Sequence, residues 1–119
     1  MTETRTPSAV SAPDDVPRVA ILGARGRMGR HAVPAVRAAE GLELVAELGS
    51  QDRLDAVLDA GVDGVVIATP SAAHAEQSIR ALERGVAVFC QKPLGRTAAE
   101  VEAVVAAART ADRLLAVDL

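Results

Sequence analysis

Three glycines at three-residue intervals follow a short apolar run near the start of the chain, within Arg18–His31. An Ala-rich segment of helix-forming residues comes next, so the pattern predicts a strand that turns sharply into a helix with an open N-terminus. Gly23 permits the tight turn, Gly26 lets the backbone approach an anion, and Gly29 lets helix and strand pack closely. The free N–H groups and dipole of such a helix favour a pyrophosphate. A purely structural strand–turn–helix connection is the alternative.

Length and composition limit the kinds of protein this chain can be. Its 119 residues suffice for one domain with one core, and half of them are hydrophobic although Phe89 is the only aromatic residue. The net charge is -3 and the basic residues are spread along the chain, which argues against a nucleic-acid surface. A single cysteine, Cys90, excludes a disulfide framework and favours a reducing compartment.

The N-terminal residues differ in composition from the rest of the chain. Residues 1–17 are rich in Thr, Ser, Pro and Asp and lack the apolar stretch of a signal peptide, which predicts a disordered tail before a domain over residues 18–119. No apolar run reaches the roughly 20 residues that a membrane span requires. We therefore expect a cytoplasmic protein.

Apolar segments alternate with helical segments from Arg18 onward, which predicts an α/β fold: a doubly wound parallel sheet of the Rossmann type in a single domain. The strands are nearly continuous in apolar residues, as expected where both faces of a sheet are buried. The predicted strands are Val19–Leu22, Leu42–Leu48, Gly64–Ala68, Val86–Cys90 and Leu114–Val117. The predicted helices are Gly26–Ala39, Asp52–Ala60, Ala72–Arg84 and Thr97–Thr110.

Local residue chemistry refines the predicted helix ends. Ser71 is a suitable N-cap for the third helix and Gly85 a suitable residue just past its end. Thr97 with Glu100 predicts a capping box at the start of the last helix. Pro34 is discordant, because a proline inside a helix kinks or shortens it.

The end of the second strand bears on which dinucleotide would bind. NAD-binding folds usually place an acidic residue there to hold the ribose 2′-hydroxyl. Glu47 is acidic, but the next positions are Gly49 and Ser50, with Arg53 nearby. A small, uncharged turn with an arginine in reach suits a 2′-phosphate better, so the sequence slightly favours NADP over NAD. The two arginines of the glycine loop, Arg25 and Arg27, are also able to contact this 2′-phosphate.

Two further turns follow predicted strands at the edge where ligands bind in such sheets. In the first, Thr69 is able to hydrogen-bond a cofactor, Pro70 to shape its pocket and His74 to lie beside it; a plain turn with a surface histidine is the alternative. The second contains Lys92, the only lysine beside twelve arginines. Lysine, unlike arginine, can act as an acid or base when desolvated. A solvated lysine before a proline turn is the bland interpretation.

Together these segments resemble the Gfo/Idh/MocA oxidoreductases, whose fold pairs an N-terminal Rossmann domain with a larger α/β substrate domain. The most specific likenesses are Val65–Pro70 followed by His74, and the pair Lys92–Pro93 after a strand. The resemblance implies NAD(P) as cofactor, no metal, and Lys92 as the catalytic residue that assists proton transfer. The cofactor-binding residues that the sequence and the resemblance suggest are Gly23, Arg25, Gly26, Arg27, Met28, Gly29, Ser50, Arg53, Thr69, Pro70, His74 and Gln91.

The chain departs from this family pattern in four places. Gln91 replaces a glutamate before the lysine, and Arg25 makes the glycine loop similar to that of dihydrodipicolinate reductases. The segment between the second and third strands is short, and the chain ends where the family's substrate domain would begin. We therefore expect an oxidoreductase domain that a partner or a second copy completes. A non-catalytic dinucleotide-binding or regulatory module, or a truncated enzyme, is the alternative.

Overall fold

The computed structural model describes residues 16–49 and 54–118, which form one parallel sheet with helices on both faces. Five strands lie in the order β2-β1-β3-β4-β5, and every neighbouring pair is parallel. The strands are β1 (Arg18–Leu22), β2 (Glu43–Leu48), β3 (Gly64–Ile67), β4 (Ala87–Cys90) and β5 (Leu115–Val117). The helices are α1 (Gly29–Ala38), α2 (Leu54–Asp59), α3 (His74–Glu83) and α4 (Ala98–Ala111), with a 3₁₀ turn at Ser71–Ala73 before α3.

The predicted alternation of strands and helices is confirmed, and each predicted strand is present to within one residue at either end. The first helix begins at Gly29 rather than Gly26, because the Gly26 N–H closes the preceding turn on the Gly23 carbonyl at 3.0 Å. Pro34 does not end α1, which continues to Ala38. The predicted tail lies outside the described residues except at its end, where the Pro17 carbonyl accepts the Glu43 N–H.

Of the two residues predicted to end α3, Gly85 is confirmed and Ser71 is wrong. Ser71 makes no capping hydrogen bond, because the chain first forms a 3₁₀ turn and α3 begins at His74 instead. Gly85 follows the helix with a φ of +77°, as predicted. Its N–H donates to Leu82 and the next N–H donates to the Ala81 carbonyl, at 2.9 and 3.0 Å. This pair of bonds is a Schellman motif.

The core is divided unequally between the two faces of the sheet. One face carries Ala20, Leu22, Val65, Ile67 and Val88, which pack with residues of α2, α3 and α4. On the opposite face Val19 and Ile21 pack with α1 alone. The strand order explains this division. The α2, α3 and α4 crossovers lead towards β5 and the α1 crossover leads away, so right-handed connections place them on opposite faces.

The face beyond α1 is an open apolar groove of about 750 Å³ over β3, β4 and β5. Burial of every strand on both faces, which the sequence suggested, is therefore wrong for these strands in the part of the chain described. Four large hydrophobic side chains are exposed along this groove, namely Met28, Leu42, Phe89 and Leu114, and Leu114 is 71% exposed. Among the described helices none is long and apolar enough to cross a bilayer.

Candidate functional site at the carboxyl edge of the sheet

The carboxyl ends of four strands meet in register, which places the sequence-predicted turns along one edge. Leu22 pairs with Leu48 on one side and with Ile67 on the other, and Ile67 pairs with Cys90. The residues that follow these strands are therefore neighbours, although they lie far apart in sequence. In this way the sheet brings together the glycine turn, the Gly49 turn, the Thr69 turn and the Lys92 turn.

Sterics at the glycine turn match the role predicted for each glycine. Gly23 has a φ of +76°, and a Cβ there would lie 2.6 Å from the Ala68 carbonyl oxygen. A Cβ on Gly29 would overlap the backbone of Gly23, so the start of α1 packs directly on the turn. A Cβ on Gly26 would have its nearest neighbour at 3.4 Å. The turn is therefore closed beneath Gly23 and Gly29 and open above Gly26.

Backbone donors are available at this opening. The N–H groups of Gly23 and Ala24 both donate to the Leu48 carbonyl, at 2.7 and 3.0 Å, and tie the turn to β2. Within the described residues the N–H groups of Arg25, Arg27, Met28 and Gly29 reach no backbone acceptor, and the first turn of α1 carries no acidic residue. Unsatisfied N–H groups at a helix N-terminus are able to bind an anion. The turn thus fits the pyrophosphate of a dinucleotide.

At the end of β2 the acidic residue, Glu47, is paired with another side chain, and an arginine lies over the residue that follows the strand. Glu47 forms an ion pair with Arg37 of α1. The Arg25 guanidinium lies directly over Gly49, where a Cβ would overlap its Nη1. This contact involves only the end of an exposed, flexible side chain, so it shows where the guanidinium lies and not that the position requires a glycine. Ser50 and Arg53, also predicted to bind cofactor, lie outside the described residues.

The Thr69 turn is held from beneath by two side chains of α3. The Thr69 hydroxyl donates to Gln77 Oε1 at 2.6 Å, and the Thr69 carbonyl lies 2.7 Å from His74 Nε2. Gln77 and His74 are 1% and 2% exposed, whereas Pro70 is exposed at the rim. His74 therefore lies under the turn. The sequence patterns did not single out Gln77, although its position three residues after His74 places both on one helix face.

Lys92 lies in the turn after β4, with its side chain exposed. Before it, the Gln91 N–H donates to the Ile67 carbonyl at 3.0 Å, which extends the pairing with β3 by one residue. After it, the Lys92–Pro93 peptide is cis and the Pro93 carbonyl lies 2.7 Å from His74 Nδ1. The structure thus brings Lys92 to the same edge as Thr69.

The far end of the Lys92 turn is fixed at the start of α4. Thr97 accepts the Glu100 N–H at 3.1 Å, and the Glu100 carboxylate accepts the N–H of Arg96 at 2.7 Å. The predicted capping box is confirmed with its return bond moved one residue earlier, from Thr97 to Arg96. Hydrogen bonds from the Arg96 side chain and backbone lower the pKa of Glu100, with burial acting weakly in the opposite direction.

Two other kinds of site, a reactive thiol and a metal centre, can be tested on the described residues. The Cys90 thiol is free and fully buried, it donates to the Gln91 carbonyl at 3.3 Å, and burial raises its pKa to about 11. A thiol with such a pKa carries almost no thiolate near neutrality. Over residues 16–49 and 54–118 no three His, Cys, Asp or Glu side chains are grouped to hold a metal ion.

Comparisons with known proteins agree with this geometry. The sequence profile Gfo/Idh/MocA, described as "Oxidoreductase family, NAD-binding Rossmann fold", matches residues 48–119, which is more than half of the chain. A 4-hydroxy-tetrahydrodipicolinate reductase of Streptomyces griseus is 51% identical over 69 residues, which cover 58% of this chain and 28% of that protein. The scyllo-inositol 2-dehydrogenase (NAD(+)) of Bacillus subtilis is 35% identical over 96 residues. This match covers 65% of the present chain and 28% of that protein.

Solved structures give the same result over a larger part of the chain. The crystal structure of an NAD-binding protein from Listeria innocua superimposes with a TM-score of 0.77 at 30% identity. The match covers 86% of this chain and 35% of that protein. The chain therefore spans about a third of the length of the proteins it matches.

Proposed function

Because the chain belongs to the Gfo/Idh/MocA oxidoreductase family as an NAD-binding Rossmann domain, we propose that it binds NADP for hydride transfer. The substrate class we propose is a small hydroxyl or carbonyl compound. One observation carries the proposal: the glycine turn, with its open backbone donors, lies on the same sheet edge as the Thr69 and Lys92 turns. Family membership favours this function over a stand-alone, non-catalytic module.

The residues at this edge divide into two groups by the part of the cofactor they would hold. The glycine turn and α1 would bind the pyrophosphate through the open N–H groups of Arg25, Arg27, Met28 and Gly29, in a turn whose shape depends on Gly23 and Gly26. On the nicotinamide side we place Thr69, Pro70 and Gln91, with His74 beneath them. The cofactor supplies the hydride acceptor or donor, and these side chains orient it. Ser50 and Arg53 would lie near the adenosine ribose.

The contact between Arg25 and Gly49 supports NADP rather than NAD. An NAD site usually carries a carboxylate at the end of β2 for the ribose 2′-hydroxyl. Here the Glu47 carboxylate is paired with Arg37, and the guanidinium of Arg25 lies over the adjacent Gly49. A guanidinium is well suited to a phosphate because it donates two parallel hydrogen bonds.

We propose that Lys92, the only lysine of the chain, transfers the proton. The Lys92 turn follows β4 and the Thr69 turn follows the neighbouring β3, so the exposed Lys92 side chain would reach a substrate on the nicotinamide from this rim. During substrate oxidation it would accept the hydroxyl proton, and during reduction it would return one to the carbonyl. A further polypeptide would need to enclose this rim, because hydride transfer requires that water be excluded.

The open apolar groove supports the proposal that a substrate domain provides this enclosure. Its lining includes Phe89 and Leu114 together with Met28 and Gln91, two residues that we propose to contact the cofactor. The proteins that the chain matches have about two thirds of their length outside the matched region. A domain seated in the groove would lie against the nicotinamide, and a second copy of this chain is the other candidate occupant.

We expect the isolated chain to be a monomer that binds an apolar dye such as ANS at this groove. Phe89→Ser should reduce the dye fluorescence, because it replaces a large exposed apolar side chain in the groove lining. Glu102→Ser, at an exposed position of α4 outside the groove, is the control and should leave the fluorescence unchanged. Sedimentation measures the mass in parallel. A stable dimer that Phe89→Ser dissociates would identify a second copy as the cover and contradict the substrate domain.

Titration with NADPH and NADH tests the proposed function directly. We expect saturable binding, visible as a change in dihydronicotinamide fluorescence, with NADPH bound more tightly than NADH.

Lys92→Ala should keep the NADPH affinity and remove any NADPH oxidation by carbonyl substrates, because Lys92 is proposed to move a proton and not to hold the cofactor. Absence of binding to both nucleotides would contradict the proposal. The reducing cytoplasm, where we place this chain, supplies both nucleotides.

A further inference from the structure

The most unusual side chain outside the proposed contact groups is His74, which is buried between two loops. Its Nε2 lies 2.7 Å from the Thr69 carbonyl oxygen and its Nδ1 lies 2.7 Å from the Pro93 carbonyl oxygen. Only 2% of the residue is exposed. The ring thus spans the distance between the Thr69 turn and the Lys92 turn, and both of its nitrogens are engaged.

The chemistry of these contacts makes the ring a tether. A carbonyl oxygen can only accept a hydrogen bond, and a ring N–H of imidazole donates one. Each ring nitrogen of His74 faces one of the two carbonyl oxygens at 2.7 Å, so the ring donates to the turn that its N–H faces and packs between both turns. Gln77, one turn further along α3, adds a bond with the Thr69 hydroxyl at 2.6 Å. The start of α3 thus holds the Thr69 turn at two points and the Lys92 turn at one.

The backbone on either side of Lys92 shows why the tether matters. On the β4 side it is fixed by the bond from Gln91 to Ile67. Beyond it, the Pro93 carbonyl accepts no backbone N–H among the described residues, so the ring of His74 supplies its hydrogen bond. The next fixed point is the bond between Arg96 and Glu100. Without the ring, the backbone between Gln91 and Arg96 would have no hydrogen bond among the described residues, and the buried side chain of Leu94 would be its remaining anchor.

From this geometry we propose that His74 is a positioning residue, which sets the place of Lys92 relative to the Thr69 turn. The inference rests on the proposed function for its catalytic meaning, because Lys92 needs a fixed position only if it exchanges a proton with a substrate at that rim. The tether itself concerns the two turns alone. It is therefore testable without cofactor.

The single lysine makes the experiment specific. Reductive ¹³C-methylation of the full chain labels Lys92 and the N-terminal amine, and these two signals differ in chemical shift. We expect His74→Gln to broaden the Lys92 signal or move it towards that of a free lysine, because the tether is lost. His31→Gln, which changes the other, exposed histidine of the chain, is the matched control and should leave the signal unchanged. A Lys92 signal identical in His74→Gln and the parent chain would overturn the proposal.

Addition of NADPH separates this inference from the proposed function. In the parent chain we expect NADPH to shift the Lys92 signal. In His74→Gln we expect NADPH still to bind at the intact glycine turn but to shift the Lys92 signal less. An equal shift in both proteins would overturn the positioning role. If the parent chain binds no NADPH, the proposed function fails, while the cofactor-free comparison still decides whether His74 tethers the turns.

A measurement on the unchanged chain covers the case in which His74→Gln does not fold. Long-range ¹H–¹⁵N spectra should show an exchange-protected ring N–H proton for the buried His74 and none for the exposed His31. Rapid exchange of the His74 ring proton would contradict a hydrogen bond from the ring to either carbonyl and overturn the proposal.

Discussion

Replacement of Gly29 by alanine is expected to destabilise the domain by about 1–3 kcal/mol, as overpacking against rigid backbone does. The added Cβ would overlap the carbonyl oxygen of Gly23 and approach Ala24 Cα to 2.7 Å. Both neighbours are backbone atoms, so no side-chain rotation relieves the overlap. The start of α1 would have to move away from the turn, and the N–H groups that we propose to bind the pyrophosphate would move with it. Urea unfolding measures the loss of stability, and NADPH titration measures the loss of affinity.

Gly26→Ala is the matched control in the same turn. Its Cβ would have no neighbour nearer than 3.4 Å, so the free energy of unfolding should stay within about 1 kcal/mol of the parent value. We expect NADPH affinity to fall in this variant nevertheless, because the methyl group would stand over the opening where the anion approaches. Equal destabilisation by Gly26→Ala and Gly29→Ala would contradict the packing that assigns the two glycines different roles.

Replacement of Arg25 by glutamine is expected to weaken NADPH binding by about 10- to 100-fold, which corresponds to the loss of a charge-assisted hydrogen bond worth about 1.5–3 kcal/mol. NADH, which has no 2′-phosphate, should bind the variant with nearly the parent affinity. The reason is the position of the guanidinium over Gly49 at the end of β2. Parallel titrations of both nucleotides at constant ionic strength measure the two affinities.

Arg27→Gln controls for the general effect of removing a positive charge from the glycine turn. Arg27 is also exposed but is proposed to lie at the pyrophosphate opening, which both nucleotides share. We therefore expect Arg27→Gln to weaken NADPH and NADH by the same factor. If Arg25→Gln also weakens both nucleotides equally, Arg25 contacts the pyrophosphate instead, and the proposed preference for NADP loses its main support.

The fold is predictable from the sequence because its determinants are local. Strand β3, for example, is an apolar run between a glycine and a turn, and Gly85 ends α3 through backbone chemistry that one residue supplies. The start of α3 is not predictable at this level. The Ser71 hydroxyl is a good cap for a helix that begins there, but the 3₁₀ turn places buried His74 at the first helical position instead.

The tertiary part of the site depends on contacts that sequence spacing does not reveal. His74 meets the Pro93 carbonyl across nineteen positions, and no local pattern marks that pair. The Arg25 contact with Gly49 is of the same kind, although the sequence points to both residues for the ribose end of the cofactor. The open groove is not predictable either, because an apolar strand looks the same whether one or both of its faces are covered. Only the strand order decides how many crossovers lie on each face.

Strand β2 stands at one end of the sheet, and this has a consequence for association between molecules. The free edge of a strand presents unpaired backbone groups that invite a strand from another chain. In the part of the chain described, this edge strand carries two exposed carboxylates, Glu43 and Glu47, and Glu47 is paired with Arg37 of α1. Charged side chains on an edge strand disfavour pairing with a strand of another chain. The β2 edge is thus less open to association than the apolar groove over β3, β4 and β5.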